Sequence, residues 1–155
     1  MSQDYTTSFT VDQTPEEATA AINNVRAWWS GQIDGTTDRA GEVWMYRYAD
    51  LHRSVMKTSE IVPGKKVVWQ VLDAYLSFIE DKTEWTGTEI VFDVAEKDGK
   101  TEVRFTHQGL VPQVECYDVC VDAWGTYIHT SLKNLIATGK GMPDQNKEIA
   151  EKWQL

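Results

Sequence analysis

Two cysteines and three histidines are the side chains best able to do chemistry, and their spacing limits what that chemistry can be. Cys116 and Cys120 stand at i and i+4, on one face of any helix that holds them, and that spacing can seat a metal if other ligands converge. No pair of His or Cys elsewhere supplies the partners. His52 and His107 fall singly on strand-like segments, and His129 lies on the far side of the cysteine-bearing helix. The cysteines therefore read as two small buried thiols, with no metal and no cofactor expected. Geometry and a reducing compartment both disfavour a disulfide between them. No Gly-x-Ser-x-Gly elbow, metal motif or Gly-rich phosphate loop is present, so no catalytic residue is assigned. Asp73, Glu80, Asp81 and Glu84 read as a solvated acidic stretch. A buried Asp73 beside His107 would reopen acid–base chemistry, because neighbouring titratable groups split their pKa values.

The rings are the stronger signal. Seven Trp, six Tyr and four Phe in 155 residues must line a core, a cavity or a contact surface. Lys plus Arg is 15 and Asp plus Glu is 24, a net charge of −9. That balance repels phosphate backbones and anionic lipid surfaces, so neither nucleic acid nor membrane is an expected partner. No apolar run approaches the roughly 20 residues of a membrane-spanning helix. MSQDYTTSFT lacks a basic region followed by an apolar one, so no signal peptide is read, and a cytoplasmic location is expected.

These residues need elements to position them. Tyr5 to Val11 alternates as a first strand. Thr14-Pro15-Glu16-Glu17 opens a helix with a cap, a proline in the first turn and a capping box. Ala18, Ala21, Ile22, Val25 and Trp28 form its buried stripe, Trp29 lies just off it, and Ser30-Gly31 ends it before a loop to Gly41. Glu42 to Ala49 is a strand with Trp44, Tyr46 and Tyr48 on one face, followed by a long strand from Leu51 to Val62 and a Pro63-Gly64 turn. Val67 to Leu72 and, more weakly, Tyr75 to Ile79 read as separate strands. Thr86 to Ala95 and Lys100 to Gln108 flank the hairpin turn Lys97-Asp98-Gly99. A long helix spans roughly Val114 to Thr138. Cys116, Cys120, Ala123, Trp124, Tyr127, Ile128 and Leu135 make its apolar arc, and Glu115, Asp118, Asp122, His129 and Lys133 its wet side. Gly139, Gly141 and Pro143 stop it. The tail from Asp144 to Leu155 is a short helix or frays, with Trp153 able to pin it.

Antiparallel strands followed by an amphipathic helix predict an α+β layer structure. The long helix crosses the concave face of the sheet, and where the two diverge a cavity opens between apolar surfaces. The order strand–helix–strands–long helix resembles the START-like, or SRPBCC, superfamily. Within it the chain is most similar to homologues of the activator of the heat-shock-protein-90 ATPase, C-terminal-domain type. The residues that carry this are SFTVDQTPEEATAAI with the Trp pair after it, SEIVPGKKVVW, WTGTEIVFDV, TEVRFTHQGL and DAWGTYIHTSLKNLIATGKGMP. The resemblance implies a helix-grip fold over one domain, residues 1–143, with 144–155 as a C-terminal tail. The expected sheet has about six or seven curved antiparallel strands gripping the long C-terminal helix, beside a shorter N-terminal one. Relatives hold lipids, sterols, polyketides or plant hormones, or act as cyclases or hydrolases. The founding co-chaperones carry a separate N-terminal chaperone-binding domain, which this sequence is expected to lack.

Strand parity then selects candidates for a cavity wall. Val103, Phe105 and His107 share an inward face opposite Glu102, Arg104 and Thr106, and Ile90, Phe92 and Val94 point the same way. Trp44, Tyr46 and Trp69 supply large rings from other strands, and Trp124 and Tyr127 face the sheet from the helix. Each is either a core residue or a wall residue, and His107 is either a polar group at a pocket mouth or a hydrogen-bonded core-edge histidine. The leading expectation is a non-enzymatic protein that binds a small hydrophobic or aromatic ligand through these eight residues. Two alternatives stand beside it. One is a co-chaperone-like module contacting a chaperone through an exposed patch of Trp29, Trp85 and Trp153. The other is a cyclase- or hydrolase-like enzyme.

Overall fold

The computed structural model describes residues 3–29 and 31–155, the side chain of Asn146 apart. Seven strands form one antiparallel sheet: β1 (Tyr5–Val11), β2 (Gln32–Asp34), β3 (Val43–Tyr48), β4 (His52–Val62), β5 (Lys66–Leu76), β6 (Glu89–Lys97) and β7 (Lys100–Gln108). Their order is β1-β7-β6-β5-β4-β3-β2, a meander from β2 to β7 with the first strand added beside the last. α1 (Pro15–Asn23) follows β1. A long helical rod follows β7, made of α2 (Tyr117–Thr126), a π-helical segment over Tyr127–Leu132, and α3 (Lys133–Thr138); α4 (Asn146–Trp153) comes last. This is the helix-grip arrangement, with the rod on the concave side of a curved sheet.

Local chemistry accounts for most of these boundaries. Thr14 caps α1 by accepting from the Glu17 N–H at 3.1 Å, and the Glu17 carboxylate reaches back to the Thr14 N–H. The helix stops at Asn23, earlier than the apolar stripe suggests, and the chain tightens into a 3₁₀ turn at Val25–Ala27. That turn swings both Trp28 and Trp29 inward, so Trp29 is core and not a residue beside the stripe. The expected helix end at Ser30 lies outside the described residues. Gln32–Asp34, read as loop, is a short edge strand that pairs with Met45–Arg47. Asp98 and Gly99 both take positive φ between the paired Lys97 and Lys100, the geometry of a two-residue hairpin turn.

The sheet curves where extra residues interrupt its pairing. Register shifts between β4 and β5 leave Ser59 and Leu72 unpaired. Leu72 breaks the in–out alternation, and that is why one strand reads as two: β5 runs unbroken to Leu76 and carries Ala74 and Leu76 inward. The inner face presents Trp44, Trp69, Phe92 and Phe105 as one row of rings. Successive centroids lie 5.0 Å (Trp44–Trp69), 5.0 Å (Trp69–Phe92) and 5.3 Å (Phe92–Phe105) apart.

The rod is not uniform. Threonine hydroxyls at 126, 130 and 138 bond back to carbonyls four residues earlier. The π segment winds more slowly than an α-helix, so the inward face moves along the chain. Ser131, Leu132 and Ile136 are buried, and Leu135, expected inside, is only half-buried. Beyond the rod the tail forms α4. Ile149 is buried, and the Trp153 indole N–H donates to Asp122 Oδ2 at 2.8 Å. Asp122, expected on the wet side of the long helix, is thereby partly covered.

Candidate functional site

A cavity of about 70 Å³ opens where the rod diverges from the β3–β5 half of the sheet. Tyr46 and Trp29 form its floor, stacked face to face at 3.9 Å with planes 6° apart. His52, in register with Tyr48 and Leu76 on the neighbouring strands, projects from β4 into the same wall. Phe78 and Trp85 close one side from the loop after β5, and Cys120, Ala123, Trp124 and Tyr127 form the roof from the rod. The last side comes from the tail: Ile149, Ala150 and Leu155.

The polar groups around this space are held neutral. Burial lowers the His52 pKa to about 3, with nearby His107 adding to the effect. Its Nε2 lies 2.7 Å from the Ser54 hydroxyl, and the rings of Tyr46 and Trp85 meet it edge-on at 4.9 and 4.8 Å. Burial likewise lowers the His107 pKa to about 3, against a raising influence from Asp4. The tautomer of His107 follows from its partners. The Trp124 indole can only donate, so its 3.1 Å contact makes Nδ1 the acceptor. Nε2–H then donates to Thr88 Oγ1 at 2.9 Å, and the Thr88 hydroxyl donates to the Trp85 carbonyl at 2.6 Å. Burial pushes the Cys120 thiol up, with Cys116 beside it adding to the shift, so this cavity-lining sulfur is a thiol and a poor nucleophile. Cys116 accepts the Trp85 indole N–H at 3.3 Å. Among the described residues that line the cavity, no side chain is charged.

The eight residues chosen from the sequence divide into two sets. Tyr46, Trp124 and Tyr127 line the cavity. Trp44, Trp69, Phe92, Phe105 and His107 are buried in the packed layer next to it. Trp124 joins the cavity wall to that packed layer, 5.1 Å from Trp29 on the floor and 4.7 Å from Phe105 behind. His107 is a fully satisfied interior histidine, not a group at a mouth. Asp73 is exposed on the other face of β5 and hydrogen-bonds the Ala74 N–H, so it does not join His107. The exposed aromatic patch is corrected as well: Trp29 and Trp85 are buried, and Trp153 is half-buried against the core. His52 is a polar wall residue that reading by motif missed. The signal was present, because His52, Ser54, Met56 and Thr58 share one strand parity.

The wall-forming loop is itself braced. The Glu84 carboxylate accepts the Glu115 and Cys116 N–H groups at 3.1 and 2.8 Å, just before α2 begins. Glu115 returns the favour by accepting the Glu80 and Asp81 N–H groups. This exchange fixes Trp85 between helix and sheet.

Comparison with known proteins fits this geometry. The family model described as Activator of Hsp90 ATPase homolog 1-like protein matches residues 6–137. No curated protein matches the sequence. Among solved structures, the solution structure of the Aha1 dimer from Colwellia psychrerythraea is 25% identical with a TM-score of 0.70, covering 89% of this chain and 98% of that one. The protein SSP2350 from Staphylococcus saprophyticus is 16% identical with a TM-score of 0.64, covering 90% and 95%. MLL2253 from Mesorhizobium loti is 13% identical with a TM-score of 0.64, covering 81% and 91%. The last two share the fold. No helix among the described residues is long and apolar enough to cross a membrane.

Proposed function

The chain belongs to the Activator of Hsp90 ATPase homolog 1-like family, within the START-like superfamily, and on that premise we propose that it holds a small, uncharged hydrophobic or aromatic molecule between β3–β5 and α2. The observation that carries this is the wall itself: rings on three sides, and polar groups that burial keeps neutral. An ionised ligand would exchange its hydration for a site with no charged side chain to meet it, whereas an apolar one gains ~25 cal/mol for each Å² removed from water. Tyr46, Trp124 and Tyr127 would contact the ligand, with His52 as the polar group that orients it. Trp44, Trp69, Phe92, Phe105 and His107 would support that wall from behind. The family description also allows a chaperone-contacting role. The burial of Trp29 and Trp85 removes the aromatic docking face that such a role was expected to use, and so favours the cavity.

Thermal shift against panels of lipids, flavonoids and polyketides tests the proposal, with Ala123→Leu as the filled-cavity control. A ligand at 100 times its Kd stabilises by about 2.7 kcal/mol, a clear shift. The expected result is stabilisation of the wild type and loss of that response in Ala123→Leu, with apo stability kept. If no compound stabilises the wild type and Ala123→Leu unfolds early, as overpacked cores do, the cavity is ordinary interior.

A further inference from the structure

The cavity is small for its surroundings. Ligand pockets usually run to about 300–1,000 Å³, and this one offers about 70 Å³ with the tail in place. Ile149, Ala150 and Leu155 of the tail make up one whole side of it. These residues lie beyond the 6–137 stretch matched by the family model.

Its attachment is uneven. The chain is anchored up to Met142, whose N–H donates to Ser131 Oγ at 2.9 Å while Ser131 donates to the Trp28 carbonyl at 2.6 Å. Past that point Ile149 packs on the core, and among the described residues the side-chain hydrogen bonds from α4 to α2 converge on one carboxylate. Asp122 takes the Trp153 indole N–H on Oδ2 at 2.8 Å and the Lys152 ammonium on Oδ1 at 3.1 Å. The Lys152 contact is a largely exposed ion pair, the weak kind. A helix of this length does not persist alone in water, so once unseated it unfolds.

Resting on the ligand-site reading above, we propose that α4 is a displaceable cover. A ligand with an uncharged apolar body takes the places of Ile149, Ala150 and Leu155, and binding releases residues 143–155 from the fold. Tail and ligand then compete for one set of walls. Loosening the tail strengthens ligand binding, and ligand binding makes the tail accessible.

The test uses the full chain and the uncharged fluorophore N-phenyl-1-naphthylamine. Asp122→Ala removes both ties, and Trp153→Phe removes the indole N–H while keeping a ring, so a folded variant is at hand if one fails. Both should bind the probe at least about fivefold more tightly than the wild type, with faster association. Amide exchange over 143–155 in the wild type should speed up at least about tenfold at probe saturation. Probe binding with unchanged affinity in the variants, or with 143–155 equally or better protected, overturns the cover while leaving the ligand site standing. No probe binding to any of the three proteins removes both.

Discussion

The Trp124 indole N–H donates to Nδ1 of His107 across 3.1 Å of closed interior, tying the long helix to the last strand of the sheet. It begins a directed series that passes through His107 and Thr88 to the Trp85 carbonyl. Each donor in it has a defined acceptor, so the histidine is locked in one tautomer; the Trp85 indole is held separately, by donating to Cys116 Sγ.

Trp124→Phe should destabilise the protein by about 2–4 kcal/mol, combining lost ring volume with a buried imidazole nitrogen left unpaired. Urea unfolding of this variant, of His107→Gln and of the double mutant measures the coupling. Strict additivity of the two single effects would show that the bond contributes nothing of its own.

Stability should depend on pH through His107, which is fully buried, and His52, which is partly exposed at the cavity wall. Their folded pKa values near 3 lie below the ordinary value of about 6.5, so between those limits the unfolded chain binds more protons. Their contribution is complete above pH 6.5 and drains away as pH falls towards 3. Urea midpoints measured from pH 7.5 to 4.5 should fall, and fall less steeply in His107→Gln. Equal slopes in the two proteins would place His107 in contact with water.

Glu84→Ala should cost about 1–2 kcal/mol, since two backbone donors at the start of α2 lose a charged acceptor. The effect should concentrate locally, with faster amide exchange at Glu115 and Cys116. Thr14→Ala, which removes the α1 cap, is the matched comparison at about 1 kcal/mol, with exchange faster only at that end of the fold.

Gly141→Ala should be among the most damaging small substitutions, at about 2 kcal/mol or more. A Cβ there meets the Ala27 carbonyl oxygen well inside van der Waals contact, and backbone cannot move aside as a side chain can. A thermal midpoint within a degree or two of wild type would mean that the anchor before α4 yields easily.

Much of this architecture is legible in the residues. Alternation at Tyr5–Val11 and Lys100–Gln108, the capping box at Thr14 and the Asp98-Gly99 turn all act through local backbone chemistry, and local patterns report local causes. Legibility fails where long-range packing decides. Leu72 looks like a strand end because a bulge puts consecutive residues on one face. Trp29 looks exposed because the helical stripe carries on in sequence past Asn23, where the chain in fact tightens into a 3₁₀ turn. The cavity was the least readable part. Phe105 and Tyr127 are alike in sequence terms, both large rings at inward positions, and only the angle between rod and sheet makes one filler and the other wall. Ile149 and Leu155 had no signal as wall residues, because nothing local to the tail says where it docks.

The pairing of the first strand with the last carries a consequence for biosynthesis. Tyr5 has His107 as its sheet partner, and β1 has no other strand beside it. A ribosome adding ~5–20 residues per second needs on the order of 5–20 s to deliver the ~100 residues between them. For that interval the strand Tyr5–Val11, with Phe9 and Val11 on its apolar side, waits as an unmated edge on a nascent chain.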